Sequence, residues 1–330
     1  MTLTAVSNVS QNLETWQRGV TIGIPVYNEE SFIEATVRSA APQCEVVILS
    51  DNCSTDRSAE ICQALAEECP NVVFVQQASN IGALNNFKFV LDEAKTPYFM
   101  WLGGHDLQPS GYVRRLRELL NKDTSSVLAY GAAKHVDLYG KETSYYDYFF
   151  SDLLANEQPT IRLYAIVKYL YDCSLIYGLF RTAALKSAWV DANYLGGDHV
   201  LLSKAAIAGK FLYEPTIFFV RLDPHLHDTS ALQLERITGV NQQERQQFFR
   251  REMQKSQFAL VVQISKQMGL HGFFYRLNSR FWLVNRFGPF GEIWWKRVLE
   301  KVLRKTGRIA IKCRKMIHYL NDRRTFPDYG

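Results

Sequence analysis

The sequence predicts an α/β protein built on a mainly parallel, doubly wound sheet. Short apolar runs rich in β-branched residues recur between residues 20 and 130, and segments with the apolar spacing of helices separate them. Each apolar run is followed by turn-forming and polar residues, which is typical of a strand buried on both faces of a parallel sheet. Strands and helices that alternate at this spacing indicate successive βαβ units.

Four strand–helix units are predicted in order, and a fifth strand follows them. The predicted strands are Val20–Ile24, Val46–Leu49, Val72–Val75, Tyr98–Trp101 and Val127–Tyr130, and the helices between them cover residues 30–40, 56–68, 82–94 and 111–121. Ser54 or Thr55 can cap the second helix. Asp56 then lies in its first turn, where a negative charge interacts favourably with the helix dipole.

The second half of the chain is less regular, and residues 131–195 are rich in tyrosine. The elements predicted there and beyond are a helical stretch near residues 160–171, a helix from Asp198 to Ala208, and strands at Lys210–Tyr213 and Thr216–Leu222. The last hundred residues carry no strong strand signal and predict a helical C-terminal extension with basic faces. The expected divisions are a flexible tail at residues 1–18, a domain at 19–230 with halves at 19–130 and 131–230, and a helical region at 231–330.

Composition is that of an ordinary globular protein. Of the 330 residues, 47% are apolar and 22% are charged, which excludes the disordered and fibrous classes. None of the six cysteines forms a Cys-x-x-Cys pair, so we expect reduced thiols rather than disulfides or a zinc finger. We find neither a run of eighteen apolar residues nor the apolar core of a secretory signal in residues 1–18, and therefore expect a cytoplasmic protein.

Charge is unevenly distributed along the chain. Residues 272–330 hold 14 Lys and Arg against 4 Asp and Glu, whereas residues 1–271 hold 24 against 29. Within the basic region, Ile293–Leu303 has the spacing of an amphipathic helix with an aromatic end at Trp294. We expect this region to rest on an anionic membrane surface; the alternative is a surface helix packed on the main domain. Nucleic acid is not an expected partner, because no recognition motif accompanies the basic residues.

Polar residues follow the first two predicted strands, at the point where each strand ends. Tyr27 and Asn28 come after the first strand, and Asp51 and Asn52 come after the second. The carboxyl ends of parallel strands meet at one edge of an open sheet, where ligands bind. Asp and Asn side chains can accept from and donate to the edges of a base and a ribose, and a tyrosine ring can pack against a base.

Two further groups of residues have the chemistry of a site. The fourth strand ends in Gly103-Gly104-His105-Asp106, where the glycines would let the backbone approach a ligand closely and the next two residues could bind a metal ion. Asp198 begins a predicted helix after two glycines. It can cap that helix and can also take a proton from a substrate hydroxyl, and the two roles are compatible.

The first two strand ends resemble those of family 2 glycosyltransferases, which have the GT-A fold. In that family the first strand ends in Pro-x-Tyr-Asn and the second in Asp-Asp/Asn-x-Ser-Thr-Asp, and the resemblance covers about residues 18–230. It implies an enzyme of bacterial surface polysaccharide assembly that uses a nucleotide-diphosphate sugar. The Asn-x-Gly…Asn-Phe turn before the third helix would bring Asn86 and backbone N–H groups near the diphosphate. The residues implied in donor binding are Pro25, Tyr27, Asn28, Asp51, Asn52, Asn80, Gly82, Asn86, Gly104 and His105.

The same resemblance implies a divalent cation, Mg²⁺ or Mn²⁺, between the two phosphates of the donor. The implied ligands are Asp106, His105 and His227, but this chain has Leu107 where the related motif Trp-x-x-x-His-Asp-Asp has its last carboxylate. Asp198 matches the segment of the catalytic base and implies transfer with inversion to a glycan or a lipid-linked glycan. The residues implied on the acceptor side are Arg181 and His199.

Other functions are less compatible with the sequence. A dehydrogenase that binds NAD would carry Gly-x-Gly-x-x-Gly after the first strand, and the segment after Ile24 lacks it. A catalytically inactive protein that binds nucleotide sugars or a membrane surface stays open as an alternative, because Leu107 removes a carboxylate from the metal motif.

Overall fold

The computed structural model describes residues 17–170, 172–189 and 197–223. The strands are β1 (Val20–Val26), β2 (Val46–Asp51), β3 (Val72–Gln76), β4 (Tyr98–Trp101), β5 (Ser126–Val136), β6 (Glu142–Tyr146), β7 (Leu179–Arg181) and β8 (Lys210–Leu222). The helices are α1 (Ile33–Ala40), α2 (Ser58–Glu68), α3 (Ala83–Glu93), α4 (Tyr112–Lys122), α5 (Ser151–Leu154), α6 (Pro159–Tyr169), α7 (Thr182–Ala188) and α8 (Gly197–Ala208). Most of the predicted tail, His225, His227 and the basic region 272–330 lie outside the described residues.

The strands form one eight-stranded sheet in the order β3-β2-β1-β4-β7-β5-β6, with β8 paired to β5. The strands β3, β2, β1 and β4 are mutually parallel, as the alternating pattern predicts. The strand β7 lies antiparallel between β4 and β5, β6 is antiparallel to β5, and β8 is parallel to β5. The sheet is therefore mainly parallel, with an antiparallel insertion in its second half.

Helices pack on both faces of this sheet, which confirms the doubly wound arrangement. In β1 every residue except Pro25 is buried, because helices cover both faces of the strand. One core cluster joins the sheet to α1, α2 and α4 through Ile33, Val37, Leu65, Val113 and Leu116. The other joins it to α3, α6, α7 and α8 through Val90, Ile166, Leu185 and Leu202. In this second cluster Trp101 is fully buried, and its indole N–H donates to the carbonyl of Phe87 at 3.0 Å.

The first four strand–helix units are confirmed with shifts of a few residues at their ends, and the second half differs from its prediction. The strands β6 and β7 were not predicted, because β6 is largely exposed and β7 has only three residues, so neither forms a recognisable apolar run. The two predicted strands at residues 210–222 are one continuous strand. Its partner strand β5 has an irregularity after Gly131, where an added Cβ would lie 2.7 Å from the carbonyl oxygen of Ile217.

The carboxyl ends of β1, β2 and β4 meet at one edge of the sheet. Val26 at the end of β1 pairs with Asp51 at the end of β2, and the N–H of Leu102 after β4 donates to the carbonyl of Gly23. The end of β8 joins the same edge, because the N–H of Leu222 donates to Oδ1 of Asp106 at 3.1 Å. In the described part of the chain, no helix combines the length and hydropathy that a membrane span requires.

Candidate active site

The loops after β1 and β2 hold each other through the side chain and backbone of Asn28. Its N–H donates to Oγ of Ser54 at 2.9 Å, and its Oδ1 accepts the N–H of Thr55 at 2.9 Å. Asn28 has a φ of 56°, a left-handed conformation that asparagine tolerates better than most residues. Tyr27 is left 46% exposed beside these bonds. Asn28 therefore shapes the loop, and the tyrosine ring is free to pack against a ligand.

Asp51 is fully buried, and only one of its two carboxylate oxygens has a hydrogen-bond partner. Its Oδ2 accepts the N–H of Ser54 at 3.1 Å and lies 3.4 Å from Nε2 of Gln76. Its Oδ1 is buried and has no hydrogen-bond partner. A buried carboxylate oxygen without a donor costs free energy, so such a group in a folded protein calls for an explanation. A ligand that brings an N–H or O–H to this oxygen would satisfy it.

Asn52 and Asn80 order the turn that leads into α3. The amide of Asn52 donates to Oδ1 of Asn80 at 3.0 Å and accepts the N–H of Ile81 at 2.8 Å. Gly82 then turns the chain with a φ of 82°, and no atom lies within 4 Å of the position that its Cβ would occupy. Gly82 and Ala83 are exposed, so an anionic group could approach the N-terminus of α3. We call the loops after β1, β2 and β3 the nucleotide edge.

Two of the residues implied in donor binding have structural roles instead. Asn86 is 2% exposed; its Oδ1 accepts the hydroxyl of Ser50 at 2.6 Å, and its Nδ2 donates to the carbonyl of Ser50 at 2.8 Å. It ties α3 to β2 and is not available to a diphosphate. A Cβ on Gly104 would lie 2.8 Å from Cγ of Glu29, so this glycine makes room for the side chain of Glu29. Pro25 is half-buried within β1, where it pairs with Ser50.

His105 and Asp106 follow β4 as adjacent residues in different environments. Nδ1 of His105 lies 2.8 Å from Oε1 of Glu29. Burial lowers the pKa of His105, but the bond to Glu29 and the charges of Asp106 and Glu29 outweigh burial, and the pKa is raised. Asp106 is 1% exposed, and burial raises the pKa of its carboxyl to about 6 despite the nearby positive charges of His105 and Arg221.

These surroundings fit a cation in two respects. Asp106 is a buried carboxylate whose charged form lacks sufficient compensation, which a cation would supply. The bond between Glu29 and Nδ1 of His105 leaves Nε2 as the ligating atom, an arrangement common among metal-bound histidines. Leu107 is 40% exposed and supplies no ligand, and His227 lies outside the described residues.

Asp198 lies in the first turn of α8 beside His199 and Cys173. Its side chain is 40% exposed, and its Oδ1 accepts the backbone N–H of His199 at 2.8 Å. Burial would raise its pKa, but the bonds from His199 and Cys173 and the charge of His199 outweigh that effect, and the pKa of Asp198 is lowered. The carboxylate is therefore ionised at neutral pH and open to solvent, as a proton acceptor must be.

A second group of charges was not recognised in the sequence. Nδ1 of His135 lies 2.9 Å from Oδ2 of Asp223, and its Nε2 lies 3.5 Å from Oδ1 of Asp172. Arg221 lies 3.7 Å from Asp172 and 3.6 Å from Asp223. Burial lowers the pKa of His135, but the two carboxylates outweigh it and raise that pKa to about 9. We call these four residues the charged cluster.

The charged cluster borders the metal candidate, because Arg221 and Asp223 both act on the carboxyl of Asp106. His135 and Arg221 lie near the ends of β5 and β8, so the rule that ligand-binding residues gather at strand ends could have found them. The predicted fifth strand ended at Tyr130, which left His135 in an unassigned loop. Because this strand was predicted to end too early, His135 was not recognised as a residue at a strand end.

Arg181, which the resemblance implies on the acceptor side, makes structural contacts at the amino end of the sheet. It pairs with Tyr98 at the start of β4, the opposite end of that strand from His105. Its guanidinium donates to the carbonyl of Ser126 at 2.8 Å and to that of Leu120 at 2.7 Å, and it stacks on the ring of Tyr98. These contacts hold β7 to its neighbours at the amino end of the sheet, away from the nucleotide edge.

Comparison with known proteins agrees with this geometry. Residues 21–177 match the profile of the family described as Glycosyl transferase family 2. The succinoglycan biosynthesis protein ExoA of Rhizobium meliloti is 34% identical over 103 residues, which cover 29% of this chain and 31% of ExoA. The matched part is thus less than a third of that relative.

Solved structures with the same fold include two of TarS from S. aureus. The structure of TarS has a TM-score of 0.54 and 16% identity, and the match covers 79% of this chain and 43% of TarS. The structure of TarS 1-349 in complex with UDP-GlcNAc has a TM-score of 0.55 and 14% identity, and covers 82% of this chain and 73% of that one. At these identities the likeness supports the GT-A fold alone.

Proposed function

We propose that this chain acts as a family 2 glycosyltransferase, whose profile matches residues 21–177, and that it transfers a sugar from a nucleotide-diphosphate sugar to an acceptor hydroxyl, with inversion at the anomeric carbon. The observation that carries the proposal is the buried Oδ1 of Asp51, which has no partner at the edge of the sheet where a nucleotide would bind. A base with a ring N–H, such as uracil, would donate to this oxygen. TarS 1-349 was solved with UDP-GlcNAc, which supports testing uridine donors first.

The rest of the donor would lie along the nucleotide edge. The exposed ring of Tyr27 packs against the base, and the open N–H groups at the start of α3 bind the diphosphate. Asn52 and Asn80 act through the backbone, because their side chains hold the turn that presents those N–H groups. Asp51 and Tyr27 therefore contact the donor, whereas the two asparagines position its binding loop.

Asp198 would act as the general base of the transfer. Its ionised carboxylate takes the proton of the acceptor hydroxyl while the oxygen forms a bond to the anomeric carbon. The bond between that carbon and the diphosphate oxygen breaks on the opposite side, and the nucleoside diphosphate leaves with the bonding electron pair. Attack opposite the leaving group inverts the configuration.

Asp106 and His105 would hold a divalent cation, Mg²⁺ or Mn²⁺, with His227 as a further proposed ligand. A cation bound there would neutralise charge on the diphosphate as it leaves. Glu29 orients His105 through the bond to Nδ1, and the N–H of Leu222 holds one oxygen of Asp106. These contacts keep the two ligands in place before a donor binds.

The acceptor is proposed to be a glycan or a lipid-linked glycan, by analogy with ExoA, which is named for succinoglycan biosynthesis. The excess of basic residues in 272–330 supports a cytoplasmic enzyme that rests on an anionic membrane surface. Sedimentation with anionic and neutral liposomes, comparing the full chain with one that ends near residue 270, tests this part. A full chain that stays in the supernatant with anionic liposomes at low salt contradicts it.

The function itself is tested with a panel of nucleotide sugars, measuring release of nucleoside diphosphate with and without Mg²⁺ or Mn²⁺. We expect one donor to be consumed and the release to depend on the cation. Binding of a donor without any release, also in the presence of acceptor glycans, would identify an inactive binding protein, the alternative that Leu107 keeps open. A donor that is consumed without added cation and in the presence of a chelator would contradict the metal role of Asp106.

A further inference from the structure

The proposed base and two residues beside it have the ligand chemistry of a soft metal site. Sγ of Cys173 lies 3.1 Å from Nδ1 of His199, and Oδ1 of Asp198 lies 3.6 Å from the same nitrogen. All three ligand atoms lie within 4.8 Å of one another, and the described residues contain no other set of three such groups this close. Neither the fold nor the family match assigns this group. We call it the soft-ligand cluster.

The spacing of these atoms suits a tetrahedral ion. Bonds of about 2.0–2.3 Å from zinc to nitrogen, oxygen and sulfur put neighbouring ligand atoms about 3.3–3.8 Å apart. The separations of 3.1 and 3.6 Å from Nδ1 of His199 are close to that range. Small side-chain rotations would bring all three atoms onto one ion and leave its fourth position to solvent.

The orientation of His199 is already fixed for binding. Its Nε2 lies 3.1 Å from the carbonyl of Leu170, which can only accept, so Nε2 carries the proton and donates. In the neutral form of the ring, which is the form that binds a metal ion, the lone pair is on Nδ1, the atom that faces Cys173 and Asp198. Metal-bound histidines characteristically donate their second ring N–H to a carbonyl or carboxylate in this way.

The arrangement does not suit a nucleophilic cysteine. A Cys–His–Asp triad needs the thiol and the carboxylate on different ring nitrogens, so that the ring relays a proton between them. Here both groups lie nearest Nδ1, while Nε2 is taken by Leu170. Because the thiol and the carboxylate approach the same ring nitrogen, the arrangement favours a metal ion bound by all three groups over a relay of protons through the ring.

The charge and access of the site also favour a cation. Burial raises the pKa of the Cys173 thiol, and the negative charges of Asp198 and Asp172 raise it further, whereas the charge of Arg221 lowers it; a bound cation would stabilise the thiolate against these effects. The side chains of His199 and Asp198 are 32% and 40% exposed, so an ion can reach them from solvent. Sulfur and imidazole ligands select zinc-like ions over Mg²⁺ or Mn²⁺, which prefer oxygen.

We propose that Cys173, Asp198 and His199 bind Zn²⁺ or a chemically similar ion, and that the bound ion inhibits sugar transfer by occupying the carboxylate of Asp198. The inhibition rests on the proposed role of Asp198 as the base; binding does not. An ion on this carboxylate takes the electron pair that would accept the proton of the acceptor. The soft-ligand cluster would then make the enzyme sensitive to free zinc while the donor cation stays at Asp106.

Binding is tested by titrating the full, chelator-treated chain with Co²⁺, because a thiolate ligand gives cobalt a charge-transfer band in the near ultraviolet. We expect this band at one equivalent and expect Zn²⁺ to displace it. Cys173→Ser and His199→Gln should lose the band, and Cys69→Ser, at the end of α2, should keep it. Thermal melting of each variant shows whether it is folded, and Cys173→Ala serves as a second variant if the serine variant is not.

Inhibition is tested in the same transfer assay by adding Zn²⁺ at a fixed Mg²⁺ concentration. Free Zn²⁺ at about ten times its dissociation constant should lower turnover about tenfold in the unaltered chain and in Cys69→Ser, and a chelator should restore it. For Cys173→Ser the ratio of rates with and without Zn²⁺ should be close to one, whatever its own rate.

Each result separates the two proposals. A thiolate band that is absent from the unaltered chain, or that persists in folded Cys173→Ser, overturns the metal site. Equal zinc inhibition of Cys173→Ser overturns the inhibitory role. A chain that shows the band but consumes no donor leaves the metal site intact and removes the proposed transferase function.

Discussion

At the nucleotide edge, polar side chains bind mainly backbone groups and one another, whereas the charged cluster is held together by ion pairs. Asn28 and Asn52 accept backbone N–H groups from neighbouring loops. In the charged cluster, His135 lies between two carboxylates that belong to segments 37 and 88 residues away. The first region is therefore built from amides and from carboxylates that accept backbone N–H groups, and the second around a histidine whose pKa is raised to about 9.

Because of this difference, the two regions have different roles in the proposed site. Hydrogen bonds to backbone N–H groups hold the donor loops together, and the carboxylates proposed to do the chemistry, Asp106 and Asp198, lie outside these loops. The environments of Asp106 and Asp198 move their pKa values in opposite directions, to about 6 for the first and below the usual range for the second. Two carboxyl groups whose pKa values are shifted in opposite directions can serve two different roles, here cation binding and proton acceptance.

The largest expected effect is that of replacing the proposed base. Asp198→Asn keeps the shape of the side chain and removes the proton acceptor, so turnover should fall by roughly a hundredfold or more while donor affinity is unchanged. Steady-state rates and donor titration by calorimetry measure the two quantities. Asp92→Asn is the matched control, because Asp92 is an exposed partner of Lys88 on α3. Equal turnover of the two variants would contradict the assignment of Asp198 as the general base.

The charged cluster should make stability depend on pH in a way that the nucleotide edge does not. The pKa of His135 is raised to about 9 in the folded chain, from 6.5. Its contribution is thus fully present below about pH 6.5 and is lost as the pH rises through about 9. The side chain is only 10% exposed, so the loss should be on the order of 3 kcal/mol.

Urea unfolding at several pH values between 6.5 and 9.5 measures this loss. The difference in unfolding free energy between the unaltered chain and His135→Gln should be largest at the low end and shrink as the pH rises. Taking the difference cancels the titration of His105, whose pKa is also raised. A difference that is constant across the range means that His135 is not ion-paired in solution.

The comparison also explains how much of the molecule could be predicted from the sequence. Residues 20–52 form consecutive parallel strands, so the polar residues that meet at the nucleotide edge also stand close together in the chain. Asp51 and Asn28 were recognised for that reason. His135, Asp172 and Arg221 meet only because β5, β7 and β8 pair out of sequence order, and the boundary of β5 was misjudged. Asn86 was recognised by its motif, but whether an asparagine faces inward or outward is decided by packing.

Replacing Asp51 should weaken donor binding without weakening the fold. Asp51→Asn can keep the bond from Ser54 on one atom and places an NH₂ group at the oxygen that has no partner. When a base binds, its ring N–H and the NH₂ group of the asparagine would face each other, and both can only donate a hydrogen bond. The affinity for the nucleotide sugar should therefore fall about tenfold. Because no protein bond to Oδ1 is lost, the melting temperature should stay the same or rise.

Asn86→Ala is the matched contrast to this variant. It removes the bonds to Ser50 below the loops, so it should lower the unfolding free energy by about 1–3 kcal/mol and leave the donor affinity of the folded fraction unchanged. Calorimetry with the nucleoside diphosphate and thermal melting measure both quantities. If Asp51→Asn destabilises the chain and Asn86→Ala weakens binding, the roles given to the two residues are reversed.

The smallest expected effect concerns Tyr27, an exposed aromatic side chain at the nucleotide edge. Tyr27 is 46% exposed, so replacing it should hardly affect stability. Tyr27→Leu keeps an apolar side chain and removes the flat ring, which should cost about 0.5–1 kcal/mol of stacking and raise the KM for the donor about two- to fivefold with kcat unchanged. Tyr27→Phe retains the ring and should bind the donor as the unaltered chain does. An equal loss in the phenylalanine variant would assign the contact to the hydroxyl, and an unchanged KM in the leucine variant would show that the base packs elsewhere.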